Sequence, residues 1–65
     1  MKLSFDYTVM IPGGYTTGFQ IAKWCGDNGI RHKIDFKWQI DNIEKVVIFS
    51  FRNKKHVNMV EKHSF

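Results

Sequence analysis

The chain has 65 residues, and its ten Lys and Arg outweigh six Asp and Glu to give a formal charge of +4. That length accommodates one small domain, residues 1–65, and a hydrophobic content of 43% is too high for a disordered tail. The sole cysteine, Cys25, rules out an internal disulfide and suits a reducing compartment.

From Lys2 to Ile11 apolar and polar residues alternate. Leu3, Phe5, Tyr7, Val9 and Ile11 fall on one face, the signature of a half-buried strand. Pro12-Gly13-Gly14 ends it, because proline lacks a ladder donor and glycine tolerates a turn. A helix is expected from Thr17 to Asn28, capped by the hydroxyl of Thr16 or Thr17. Its inner stripe is Gly18, Ile21, Ala22 and Cys25, with Phe19 and Trp24 at the margins. These residues are small enough to let the helix lie close to a sheet. Asn28-Gly29 is a stop signal, since glycine takes the left-handed conformation after a last turn.

The second strand is expected from Ile30 to Ile40. His32, Ile34, Phe36, Trp38 and Ile40 alternate with Arg31, Lys33, Asp35, Lys37 and Gln39. A polar turn at Asp41-Asn42 leads to a third strand, Glu44 to Arg52, in an antiparallel hairpin. Its centre, Val46-Val47-Ile48-Phe49, is apolar on both faces, as befits a middle strand. Asn53 can cap a last helix running from Lys54 to His63.

The order β-α-β-β-α predicts an α+β two-layer sandwich. A right-handed crossover leaves room for strand three between strands one and two. The sheet is then three-stranded, of mixed or antiparallel pairing in the order 1-3-2, with both helices on one face. This is a ferredoxin-like arrangement without its last strand. One edge of strand one and one face of the sheet are left uncovered.

The stretch IPGGYTTGFQ spaces Gly13 and Gly18 as a phosphate-binding loop spaces its glycines. Phe19 and Gln20 then stand where that chemistry needs Lys and a hydroxyl, so it reads as a strand-to-helix turn. His32, His56, His63 and Cys25 have no metal-ligand spacing, and no two carboxylates form an acid/base pair. Cys25 falls on the buried side of its helix, where a thiol is inert. No catalytic residue, metal, cofactor or small-molecule substrate is therefore expected.

Two binding readings remain. The free edge of strand one, with Phe5 and Tyr7 beside it and Trp24 as an aromatic anchor, suits a protein partner or a second copy of the chain. The alternative is a nucleic-acid-binding sheet face carrying Arg31, Lys33, Lys37 and Arg52. The N-terminus lacks the continuous apolar stretch of a secretion signal, and no segment approaches the roughly 20 apolar residues that span a bilayer. A soluble cytoplasmic protein with no membrane contact is expected.

The pattern Ala22-x-Trp24-Cys25 with its Asn28-Gly29 stop, followed by Phe49-x-Phe51-Arg52-Asn53 and a Met-containing helix, resembles short uncharacterised proteins of tailed bacteriophages. The likeness spans residues 19–60 and departs at Lys54-Lys55, where those proteins carry acidic residues. It implies a small non-catalytic accessory factor that acts on a host protein by binding, in the host cytoplasm.

Overall fold

The structure, a computed structural model, describes residues 4–63. The elements are β1 (Tyr7–Pro12), α1 (Tyr15–Asp27), β2 (Phe36–Asp41), β3 (Val46–Phe51) and α2 (Lys54–Lys62). β3 lies between β1 and β2 and pairs antiparallel with both, so the sheet order is 1-3-2. The small α+β fold and its β-α-β-β-α order are those expected. β1 and β2 run parallel to each other, as a helical crossover between them requires.

The register aligns three rows across the sheet: Tyr7-Phe51-Phe36, Val9-Phe49-Trp38 and Ile11-Val47-Ile40. Ile21 and Cys25 of α1, with Val57 and Val60 of α2, pack onto this side, so both helices cover the same face. Phe36, Phe49 and Phe51 are each no more than 1% exposed. Burying each ring contributes roughly 1.5–3 kcal/mol, so the aromatic slab dominates the stabilisation of so small a core. Phe49 stacks on Trp38 at 5.6 Å with ring planes 9° apart.

Gly18 lets α1 approach this slab. A Cβ there would lie 2.2 Å from Cζ3 of Trp38, so any larger residue drives the helix away from β2. At the other end, α1 closes with the two bonds of a Schellman motif, Ile30 N–H to the Cys25 carbonyl at 2.8 Å and Gly29 N–H to the Gly26 carbonyl at 3.1 Å. Gly29 has φ 77°, and the buried Ile30 and Cys25 complete the motif.

Element boundaries differ from the sequence reading by a residue or two at the start of α1 and at the ends of β3 and α2, and by more at the starts of β2 and β1. Helix α1 begins at Tyr15 rather than Thr17, because the extended Gly14 is its N-cap and accepts Gly18 N–H at 3.0 Å; no hydroxyl caps it. β2 begins at Phe36 rather than Ile30. Asp35 Oδ2 accepts the Arg31 N–H at 2.9 Å, and the Arg31 carbonyl accepts Asp35 N–H at 2.7 Å. These bonds fold residues 31–35 into a turn and compete with a ladder there. β1 begins at Tyr7, and the part of the expected strand at Lys2 and Leu3 lies outside the described residues.

The hairpin between β2 and β3 is longer than Asp41-Asn42 alone. Asp41 Oδ1 accepts N–H groups from Ile43 and Glu44 at 3.0 and 3.1 Å, and Lys45 closes the loop at φ 58°. Helix α2 is capped as expected, with Asn53 Oδ1 accepting Lys55 N–H at 2.9 Å.

Candidate functional site

The outer edge of β1 is open among the described residues. Its hydrogen-bonding groups can be assigned from the ladder. Gly13 N–H donates to the Lys45 carbonyl at 2.9 Å, and these two residues continue the β1–β3 register. Antiparallel pairing alternates, so the odd-numbered residues of β1 turn their N–H and C=O toward β3. Thr8 and Met10 therefore direct both groups outward, and Pro12 offers only its carbonyl. Met10 is 61% exposed and lies on the open face beside Ile48.

The other border of the sheet is partly covered. The same alternation turns Phe36 outward from β2, but its N–H donates to the Arg31 carbonyl at 3.3 Å and its carbonyl accepts from Lys33 at 2.6 Å. The 31–35 turn thus occupies the start of that edge. Trp38 and Ile40 keep that border's remaining outward groups, so among the described residues β1, with Thr8, Met10 and the Pro12 carbonyl, presents the slightly longer unoccupied run.

The three expected interface aromatics separate. Tyr7 is on the helix side of β1, opposite Phe51, and 41% exposed. Phe5 precedes the strand and does not share that face; the Lys37 ammonium sits 5.4 Å from its ring centroid, which puts Phe5 against the open face. Trp24 packs on the core margin and stacks with His63 at 4.9 Å, joining α1 to the end of α2.

The four expected nucleic-acid contacts also separate. Lys37 belongs to the open face, where its neighbours across the register are Ser50 and Thr8. Arg31 and Lys33 lie in the turn before β2, Arg31 paired with Asp35 at 3.4 Å and Lys33 at φ 70°. Arg52 is past the end of β3, its Nη1 donating to the Ile34 carbonyl at 3.1 Å. The rings of Phe36, Trp38, Phe49 and Phe51 lie beneath the helices, so the strands offer the open face no stacking platform.

A cleft of about 410 Å³ opens at the end of the sheet where β3 passes into α2. Tyr7, Asp35, Arg52, Asn53, Lys54 and His56 line it. The Arg31 backbone N–H, ahead of its guanidinium, holds the Asp35 carboxyl below the usual carboxylate range. Nδ1 of His56 is shielded from solvent and has no hydrogen-bond partner among the described residues. Sequence reasoning named Tyr7 and Arg52 for other reasons and missed this grouping. A signal was present in Arg52-Asn53-Lys54, cations flanking a helix cap.

The remaining chemistry is sparse. Cys25 is fully buried, and burial pushes its thiol up to about 11, so it is not a ready nucleophile. Among the described residues no three His, Cys, Asp or Glu are grouped to hold a metal ion. No helix there is long and apolar enough to cross a membrane. The Gly13–Gly18 turn is used for packing: Gly13 at φ 146° leads into α1, and Gly18 meets Trp38. No family model, curated protein or solved structure matches the chain.

Proposed function

We propose that the chain is a small non-catalytic interaction protein that takes a strand from another protein chain along β1. The observation that carries this reading is the edge itself, with N–H and C=O groups of Thr8 and Met10 directed away from β3. A partner strand satisfies those groups while side chains on its two faces meet Met10 and Ile48 below and Tyr7 and Ile11 above.

A second copy is the simplest occupant. An antiparallel two-fold pairing centred on Val9 sets Thr8 opposite Met10 of the other copy, so both residues exchange both backbone bonds. The two sheets then become one continuous sheet, and each small core gains apolar cover. Binding of a host protein by a phage accessory factor, the role suggested by the sequence resemblance, would use the same edge.

The nucleic-acid reading has less support. Its four cations are divided among the open face, a turn and a cleft, whereas backbone-tracking sites need a connected basic groove.

The test is mass measurement across a concentration series for the natural chain and for Met10→Lys. That substitution puts a charge on an exposed edge position without touching the core. Concentration-dependent dimers of the natural chain, monomers of M10K and slowed amide exchange at Thr8 and Met10 are the expected results. A strict monomer at millimolar concentration, with those two amides exchanging freely, overturns the self-pairing.

A further inference from the structure

Helix α2 lies alongside β1 and runs in the same direction. Its first residue, Lys54, lines the cleft beside Tyr7, and Glu61 lines a second groove with Val9, Ile11 and Val60. Val57 and Val60 turn into the core, and His63 stacks on Trp24, so one flank of α2 faces α1. At 100° per residue Lys54, Asn58 and Glu61 share the opposite flank, on the side of the open β1 edge. All three are exposed.

Both charges stand against the field of their own helix. A cation at the N-terminal end and a carboxylate in the last turn are each unfavourable to the dipole. Among the described residues the ion pairs are Lys23–Asp27 and Arg31–Asp35, and neither involves Lys54 or Glu61. Asp35, which shares the cleft with Lys54, is engaged by the backbone N–H and Nε of Arg31 at 2.9 and 3.4 Å.

A second copy supplies the missing complement. In the two-fold pairing centred on Val9, Tyr7 lies opposite Ile11 of the other copy, so the start of one α2 faces the end of the other. Lys54 then meets Glu61 of the second copy, and Glu61 meets its Lys54. Lys54 to Glu61 covers about 10 Å of helix and Tyr7 to Ile11 about 13 Å of strand, so both pairs close together. The lateral spacing agrees. α2 packs on both β1 and β3. Seated between strands about 4.8 Å apart, it lies about 5 Å from the axis, and its counterpart about 10 Å away is at ordinary helix-packing distance. Below the helices, Tyr7, Val9 and Ile11 meet their mates as close, non-hydrogen-bonded pairs.

We propose that the occupant of the β1 edge is a second copy of this chain, selected by reciprocal Lys54–Glu61 pairs between the two α2 helices. This selection rests on β1 accepting a strand and names what chooses it.

Sedimentation of the full chain at low ionic strength tests it, with Lys54→Glu, Glu61→Lys, the double variant and an equimolar mixture of the two single variants. Each single variant opposes like charges at both contacts, so its dimer should be about tenfold weaker than the natural one. Both changes suit the helix dipole, so helical circular dichroism should hold. The mixture and the double variant restore opposite charges at both contacts and should regain the natural affinity. Added sodium chloride should shrink these differences. Net charge alone predicts otherwise, since Lys54→Glu makes the chain less positive and would tighten pairing. Single variants that dimerise like the natural chain, or a mixture no tighter than either alone, overturn the selection; loss of the dimer in Met10→Lys then leaves the β1 edge standing. A Met10→Lys chain that still dimerises removes the edge, and the selection with it. A natural chain that stays monomeric at millimolar concentration overturns the second copy as occupant.

Discussion

Of the glycines, Gly18 has the tightest surroundings, and replacing it with alanine tests how α1 is seated. The new Cβ would meet Cζ3, Cη2 and Cε3 of Trp38 at 2.2, 2.8 and 2.9 Å. Ordinary contact begins at 3.4 Å, so helix or indole must retreat by more than an ångström. The indole has little room, being wedged between Phe49 at 5.6 Å and Phe19 at 5.3 Å. Overpacking of this kind costs about 1–3 kcal/mol, and alanine returns about 1 kcal/mol of helix propensity. At so short a contact the upper end of the range applies, giving a net loss of about 2 kcal/mol. For a chain of this size that is roughly a 10 °C fall in Tm. Gly26→Ala is the control: nothing lies within 4 Å of its added Cβ, so it should hold or raise Tm. Trp38→Leu removes the clashing ring, and the Gly18→Ala/Trp38→Leu double variant should lose less than the two single losses together. Urea and thermal unfolding followed by circular dichroism measure all four. Gly18→Ala as stable as Gly26→Ala, or strict additivity with Trp38→Leu, would refute this account of the α1–β2 contact.

Two further outcomes follow from the same structure. The Cys25 thiol is raised in the fold from 9.0 to about 11, so above pH 9 the unfolded chain loses a proton that the folded chain keeps. Stability present below pH 9 should therefore fall by about 2–3 kcal/mol as pH rises to 11, and Cys25→Ala should remove that part of the slope in urea melts. Lys45 sits at φ 58°, a conformation costing an L-residue about 1 kcal/mol, so Lys45→Gly should raise Tm by a few degrees. An unchanged or lower Tm would argue against the left-handed turn.

Local periodicity carried the element order a long way. The alternation of Tyr7, Val9 and Ile11, the doubly apolar Val46 to Phe49 and the Asn28-Gly29 stop each reflect short-range rules, and each holds in the structure. The central place of β3 was legible because a strand covered on both edges and one face leaves few polar positions. The start of β2 was not legible. His32, Ile34 and Phe36 keep a period of two across a segment that turns, because the Arg31–Asp35 bonds outweigh that pattern.

The candidate sites were less accessible still. Arg31, Lys33 and Lys37 share a parity in the strand pattern, but shared parity means a shared face only where the chain is continuously extended. Phe5 leaves the row of Tyr7 for the same reason. The cleft joins Tyr7, Asp35 and His56, residues far apart in the chain, so no local spacing could announce it. Sequence alone determined the order of the extended and helical segments and which of their faces are apolar, since those depend on neighbours a few residues away. Tertiary structure decided that the 31–35 turn covers the start of the β2 edge, where each cation comes to rest and how close α1 lies to Trp38, because these depend on how the segments meet in space.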